Sequence, residues 1–209
     1  MKNRILISVL CMMCALLCFT ACGNNLKDNN TENDNNSEMI ESESMQESEA
    51  KIEIVDATEL LTKAWELYET PFDVMGGHFT SPVMGAPAKY DLSMVEDLTK
   101  MYCVPLSEGY TIDDAATLVD FYNAVRFTMG AFHVTEVGDS QELACAIKAQ
   151  VYANEWYGKM PEQLLIMEIN HEYVVAMYGN AQILGQMRQN LESIYDKSTS
   201  VLIEEYLAK

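Results

Sequence analysis

Basic residues are scarce in this chain of 209 residues: 13 Lys plus Arg stand against 32 Asp plus Glu, for a net charge of −19. A protein this acidic repels phosphate backbones, which excludes nucleic-acid binding. Histidine is scarcer still. Only His78, His133 and His171 occur, with no HExxH and no CxxC, so the spacings that zinc sites use are missing. A GxSxG elbow and an SxxK are also missing, and no Gly-rich loop stands between a strand and a helix carrying a Lys. The residues therefore nominate no catalytic group, no metal-ligand set and no cofactor. Of the six cysteines, Cys11, Cys14, Cys18 and Cys22 lie at the N-terminus, leaving Cys103 and Cys145. Export permits a disulfide between these two, but each falls at or within an expected helix, where a buried free thiol is the expected state.

What is there divides into three parts. Residues 1–21 open with the basic Met1, Lys2, Asn3, Arg4 and run uncharged from Ile5 to Cys22, as a secretory signal does. Residues 22–50 are rich in Asn, Ser and Glu. Eight acidic residues against Lys27 give residues 23–50 a charge of −7, so they read as a disordered tether. As a flexible coil it reaches about 30 Å, and farther when its like charges repel. Removing the tether's −7 and the signal's +2 from −19 leaves −14 for residues 51–209, the expected single folded domain.

The stretch Phe19, Thr20, Ala21, Cys22, Gly23 resembles the lipobox of bacterial lipoproteins, with Phe19 standing where Leu is usual. The resemblance implies that Cys22 becomes the lipidated N-terminus, anchored in membrane lipid and facing the extracytoplasmic side. Small residues before Cys22 and the polar run from Gly23 favour cleavage over an uncleaved signal anchor. More than one acyl chain on Cys22 makes such an anchor stable.

Within the domain, Asp56 with Glu59 forms a capping-box pattern ahead of Leu60, Leu61, Ala64 and Leu67, which predicts a helix over 57–69. Ser93 with Glu96 predicts a second helix. The acidic turn Asp113, Asp114 before Ala115, Leu118, Phe121 and Tyr122 predicts a third. Residues 70–90, holding three of the five prolines, read as a loop. A strand is expected over 126–137. A helix capped by Asp139 follows, running to about Tyr157 and ended by Gly158. Two apolar runs, 164–169 and 173–178, around Asn170, His171 and Glu172 predict a hairpin. Gly179 and Asn180 end it, and a helical stripe covers 184–194. Ser198 is expected to cap a short terminal helix. The order α, α, α, β, α, β, β, α predicts an α+β fold. Its expected core is a small, mostly antiparallel sheet of strand, helix, hairpin and helix, with an N-terminal helical portion packed on it.

Tyr90, Asp91 and Leu92 before a short helix, then Met160, Pro161, Glu162, Gln163, and a hairpin ending at Gly179 and Asn180, resemble an uncharacterised lipoprotein-domain family of Gram-positive anaerobes. The resemblance spans about 57–196 and implies fold and localisation, not activity.

The remaining candidates are surface residues. His78 follows Gly76 and Gly77, which free the backbone to approach something closely. Trp156 and Tyr157 end a helix, and Tyr173 and Tyr178 fall on opposite faces of one strand. Such aromatics serve binding surfaces, and equally bridge core and solvent. Two functions stay open. One is a non-enzymatic binding or interaction module, presented outside the cytoplasmic membrane to an envelope or extracellular protein or a small ligand. The other is an envelope enzyme in which His78 or His133 meets a carboxylate in a pocket of the fold.

Overall fold

The first helix of the computed structural model, α1 (Ala57–Glu66), begins where the capping box places it. The Asp56 carboxylate accepts from the Glu59 amide at 2.7 Å, and Glu59 reaches back to the Val55 amide at 2.7 Å. That amide, with Lys63 beside it, holds the Glu59 carboxyl below its ordinary pKa. The structure describes residues 52–105, 110–136, 138–156 and 159–207.

Elements follow in the order α1, β1 (Val74–Gly76), β2 (Val83–Met84), β3 (Ala88–Lys89), α2 (Val95–Tyr102), β4 (Ile112–Asp120), β5 (Phe127–Val134), α3 (Asp139–Ala153), β6 (Gln163–Ile169), β7 (Tyr173–Gly179), α4 (Ala181–Tyr195) and β8 (Thr199–Tyr206). A short 3-10 turn, Asp196–Ser198, joins the last two. The fold is α+β. All eight strands make one antiparallel sheet in the order β2-β1-β4-β5-β7-β6-β8, with β3 beside β4 in line with β1.

Alternation along the strands sends side chains to two cores. In β7, Tyr173, Val175 and Met177 face one layer, formed by α1 and α4, while Val174, Ala176 and Tyr178 face the other, formed by α2 and α3. The central strands are thus covered on both faces, and the N-terminal helix lies on the sheet as expected.

Several sequence expectations are corrected. The third expected helix is β4: its run Ala115–Asp120 is buried on both faces of the sheet, and an apolar stretch of that kind has the same composition in a helix or a strand. The terminal helix is β8, which pairs along β6 from Thr199 to Tyr206 and closes an edge that β6 would otherwise leave open. Residues 70–90 hold three short strands. Ser93 caps nothing, because its amide donates to Asp91 and α2 starts one residue later behind Met94. Asp139 does not cap α3 either; Gly138 stands at that place, and the Asp139 carboxylate accepts from the Thr111 amide. α3 stops at Ala153, and Gly158, the expected stop, lies outside the described residues. Cys145 is exposed rather than buried. Cys103 is buried, its thiol pushed up to about 12 by that burial, and both cysteines are free.

Candidate functional site

One end of the sheet brings three strand termini together. The register sets Phe127 at the start of β5 opposite Gly179 at the end of β7, and Gly179 opposite Gln163 at the start of β6. Gly179 has φ +148, and a Cβ there would lie 2.2 Å from the Arg126 carbonyl oxygen. Only glycine admits that approach. Around it the backbone closes tightly: the Asn180 amide donates to Arg126 at 2.7 Å, and the Glu162 amide donates to Gly179 at 3.0 Å. Arg126, Glu162 and Asn180, distant in sequence, are locked side by side.

Their side chains are fixed in turn. Asn180 caps α4, its Oδ1 accepting from the amides of Gln182 and Ile183 at 3.1 and 3.3 Å. Its Nδ2 donates to Glu162 Oε2 at 2.8 Å, and the Ala181 amide reaches the same oxygen at 3.3 Å. A carboxylate belongs at the positive end of a helix. Glu162 Oε1 lies 3.8 Å from Lys159 Nζ.

Arg126 is held from two directions. Its Nε sits 2.9 Å from Asp120 Oδ2, a close ion pair without the alignment of a hydrogen bond. Its guanidinium carbon lies 4.1 Å above the Phe72 ring, a cation–π contact. The Asp120 side chain is 3% exposed, and its Oδ1 accepts from the amides of Tyr122 and Asn123. Held by Nε and by one face, the guanidinium has no partner at its two Nη groups among the described residues, and Arg126 lines the space beyond. That space is an open cleft of about 280 Å³, lined by Asn123, Val125, Arg126, Lys159, Met160 and Glu162 with Asn180. The lining offers a guanidinium fork, an ammonium, a carboxylate oxygen and two apolar walls. Groups of these kinds are able to bind and orient a ligand.

The histidines lie elsewhere. His78 is only 7% exposed. The Thr80 amide approaches its Nδ1 at 3.3 Å, which makes Nδ1 the acceptor nitrogen. Nε2–H then donates to Asp97 at 2.8 Å, and the Thr80 hydroxyl donates to Nδ1 at 2.7 Å. Close approach at the glycines is made by the chain itself, since a Cβ on Gly76 would lie 2.3 Å from the Ala88 amide nitrogen. His133 pairs with Asp113 at 2.5 Å, and His171 with Glu168 at 2.9 Å. Asp113 also borders a second open cleft, of about 370 Å³, with Lys89, Tyr90, Asp91 and Leu92. Neither cleft is lined by a histidine.

Trp156 is half-buried, its Nε1 donating to the Val151 carbonyl and its ring edge-on to Tyr178 at 5.3 Å. Tyr173 and Tyr178 do fall on opposite faces of β7, but both are buried, not exposed. Tyr157 and Cys22 lie outside the described residues. The fold does not bring His78 and Trp156 into one site. Arg126, Lys159 and Asp120 carried no signal in the sequence, because their meeting depends on strand order. Met160, Glu162 and Asn180 did appear, within the words that carry the second resemblance, and these line the cleft.

Among the described residues no group of three or more His, Cys, Asp or Glu could hold a metal ion. No protein-family model matches the chain, and no curated protein or solved structure matches it.

Proposed function

We propose that this protein is a lipoprotein anchored through Cys22 at the extracytoplasmic face of the cell membrane, and that its domain is a non-enzymatic module binding a small ligand in the Arg126 cleft. The observation that carries this reading is the preorganised fork of Arg126, fixed by buried Asp120 and by Phe72 before any ligand arrives. Preorganisation removes part of the ordering cost that weak ligands cannot repay. The composition of residues 23–50, with a charge of −7, is compatible with the anchoring half, because a segment so acidic is repelled by an anionic lipid surface. Among the described residues no helix is long and apolar enough to cross a membrane.

Two measurements test the two halves. Intact mass of the membrane-extracted protein should fit a chain that begins at Cys22 and carries acyl groups, lost in Cys22→Ala; an unacylated chain retaining residues 1–21 refutes the anchor. For the cleft, amide resonances of Asn123, Arg126, Lys159 and Asn180 should move together when small charged solutes are titrated into the protein. Movement confined to other regions refutes it.

A second reading is favoured by one observation, the line from Thr80 through His78 to Asp97. An exposed hydroxyl donating to an imidazole that is backed by a carboxylate is the arrangement of an activated nucleophile. The same hydrogen bonds also fasten the 77–82 loop to α2 without any reaction. An envelope esterase of this kind would hydrolyse p-nitrophenyl acetate above the buffer rate and lose that activity in Thr80→Ala. Equal rates in the two proteins reject it.

A further inference from the structure

The charges of the cleft balance. Arg126 and Lys159 contribute two positive charges, and Asp120 and Glu162 two negative ones. A site for a simple anion would keep its cations unneutralised, because a fixed carboxylate in the lining repels the ligand. Here the carboxylate is built in: Glu162 Oε2 is committed to Asn180 and the Ala181 amide, so it cannot swing away without leaving those two donors unpartnered. Its other oxygen, on a residue that lines the cleft, has Lys159 loosely beside it at 3.8 Å. Asp120, by contrast, is withdrawn behind Arg126 and only 3% exposed, so a ligand meets the guanidinium and not the acid.

The unspent bonding capacity is therefore of two kinds. Arg126 has two Nη groups arranged to take both oxygens of a carboxylate. Glu162 Oε1 has lone pairs suited to an ammonium donor. The apolar Val125 and Met160 line the same cleft. The volume, about 280 Å³, is below the range of drug-sized pockets and suits a ligand of few heavy atoms.

Building on the binding-module reading, we infer that the ligand is a zwitterion of the α-amino-acid type. Its carboxylate lies on the Arg126 fork, its ammonium on Glu162 Oε1, and its side chain against Val125 and Met160. Lys159, 73% exposed at the rim, stands beside Glu162 Oε1 at the ammonium end, where it competes with the ligand's ammonium for that oxygen. Recognition of both ends by charge explains why a neutral cleft is built in so acidic a domain.

The experiment is calorimetric titration of the full chain in detergent with three probes: L-leucine, N-acetyl-L-leucine, which lacks the ammonium, and L-leucinamide, which lacks the carboxylate. Leucine should bind at least about tenfold more tightly than either analogue, since each loses one charge-assisted contact. In Glu162→Gln, which keeps an oxygen for the Ala181 amide, leucine should weaken about tenfold while N-acetyl-leucine gains affinity, so the preference crosses over. Arg126→Lys should weaken leucine and N-acetyl-leucine alike. Lys159→Ala, at an exposed rim position, should strengthen leucine two- to threefold, by about the strength of a screened surface charge, because it frees Glu162 Oε1 and removes a like charge beside the ligand's ammonium. If N-acetyl-leucine matches leucine in the wild type and Arg126→Lys weakens both, the binding module stands and the zwitterion inference falls. If leucinamide matches leucine, the Arg126 fork is not a carboxylate site and the inference falls equally. If none of the three probes binds, this inference is overturned, and solute-induced shifts at the cleft residues then decide whether the broader reading survives.

Discussion

On the α1/α4 face of the sheet, the rings of Trp65, Tyr68, Phe72 and Phe127 pack on one another, Trp65 stacked on Tyr68 at 5.2 Å and edge-on to Phe72 at 5.3 Å. On the α2/α3 face rings also meet edge-on, Tyr90 with Tyr102 at 5.4 Å and Trp156 with Tyr178 at 5.3 Å, but here three tyrosines are tied by their polar ends as well. Tyr90 donates to the Met94 carbonyl, Tyr102 to Gly77, and Tyr178 to Met101. The reason lies in what covers each face. On the α1/α4 face the Asn190 side-chain amide donates to the Ala64 carbonyl at 3.0 Å, while Tyr195, fully buried, has no partner for its OH among the described residues. The other face is covered partly by an eight-residue helix and irregular chain, whose spare carbonyls need donors. Tyrosine supplies apolar area and a donor in one side chain. An aromatic residue is thus a filler on one face and a staple on the other.

The largest way to break this comparison is Phe127→Ala. Phe127 is fully buried where the ring cluster meets the sheet, and its loss should cost about 3–5 kcal/mol in urea unfolding. Tyr178→Phe keeps the ring and strips only the staple; it should cost about 1–2 kcal/mol, by leaving the Met101 carbonyl without its donor. A cost below about 0.5 kcal/mol would mean that the hydroxyl is incidental.

β8 joins the two faces and gives a pH-dependent test. Glu204 takes Arg188 of α4 at 2.9 Å, while its neighbour Glu205 takes Lys148 and Tyr152 of α3. The Lys148 hydrogen bond, followed by that from Tyr152, lowers the Glu205 carboxyl from 4.5. Glu205 in turn raises the Lys148 ammonium from 10.5. A lowered carboxylate stabilises the fold above its unfolded pKa and loses that contribution as pH falls through the lowered folded value. A raised ammonium stabilises below its unfolded pKa and loses the contribution as pH rises through the raised folded value. The clamp therefore acts fully from just above pH 4.5 to just below pH 10.5. Hydrogen exchange should show β8 amides losing protection below pH 4.5 before the central strands do, and Lys148→Met should flatten that dependence. Uniform loss across the sheet would count against a local clamp.

The smallest effect sharpens the contrast. Tyr195→Phe removes a hydroxyl with no partner, so stability should stay the same or rise by about 0.5–1 kcal/mol. A clear loss would show that the α1/α4 face does supply an acceptor.

Local chemistry was readable wherever a segment's own pattern agreed with its place in the fold. Asp56 with Glu59 announces α1, and the paired apolar runs around Asn170 and His171 announce the β6–β7 hairpin, whose turn residues take φ of +56 and +60. β4 and β8 were not readable in this way. Asp113 and Asp114 ahead of apolar residues imitate a helix start, yet Asp114 serves another element, accepting from the Ala57 amide at the start of α1. Leu202 and Tyr206 share a helical spacing, but pairing with β6 wins, because an unpaired eight-residue edge would leave a row of amides and carbonyls without partners. The cleft was the least readable part. Arg126, Glu162 and Asn180 sit on three segments, and no spacing along the chain encodes their contact.

By itself the sequence determined the acidic character, the α+β class, and the helix start set by Asp56, because each depends on composition or on patterns within short stretches of chain. Only the tertiary structure decided that β4 and β8 are strands, that His78, His133 and His171 pair with different carboxylates in different places, and that Arg126 is braced by Asp120 and Phe72 beside Glu162. Those outcomes depend on strand order and register, which bring together groups far apart in sequence, and local propensity is too weak to choose among the alternatives.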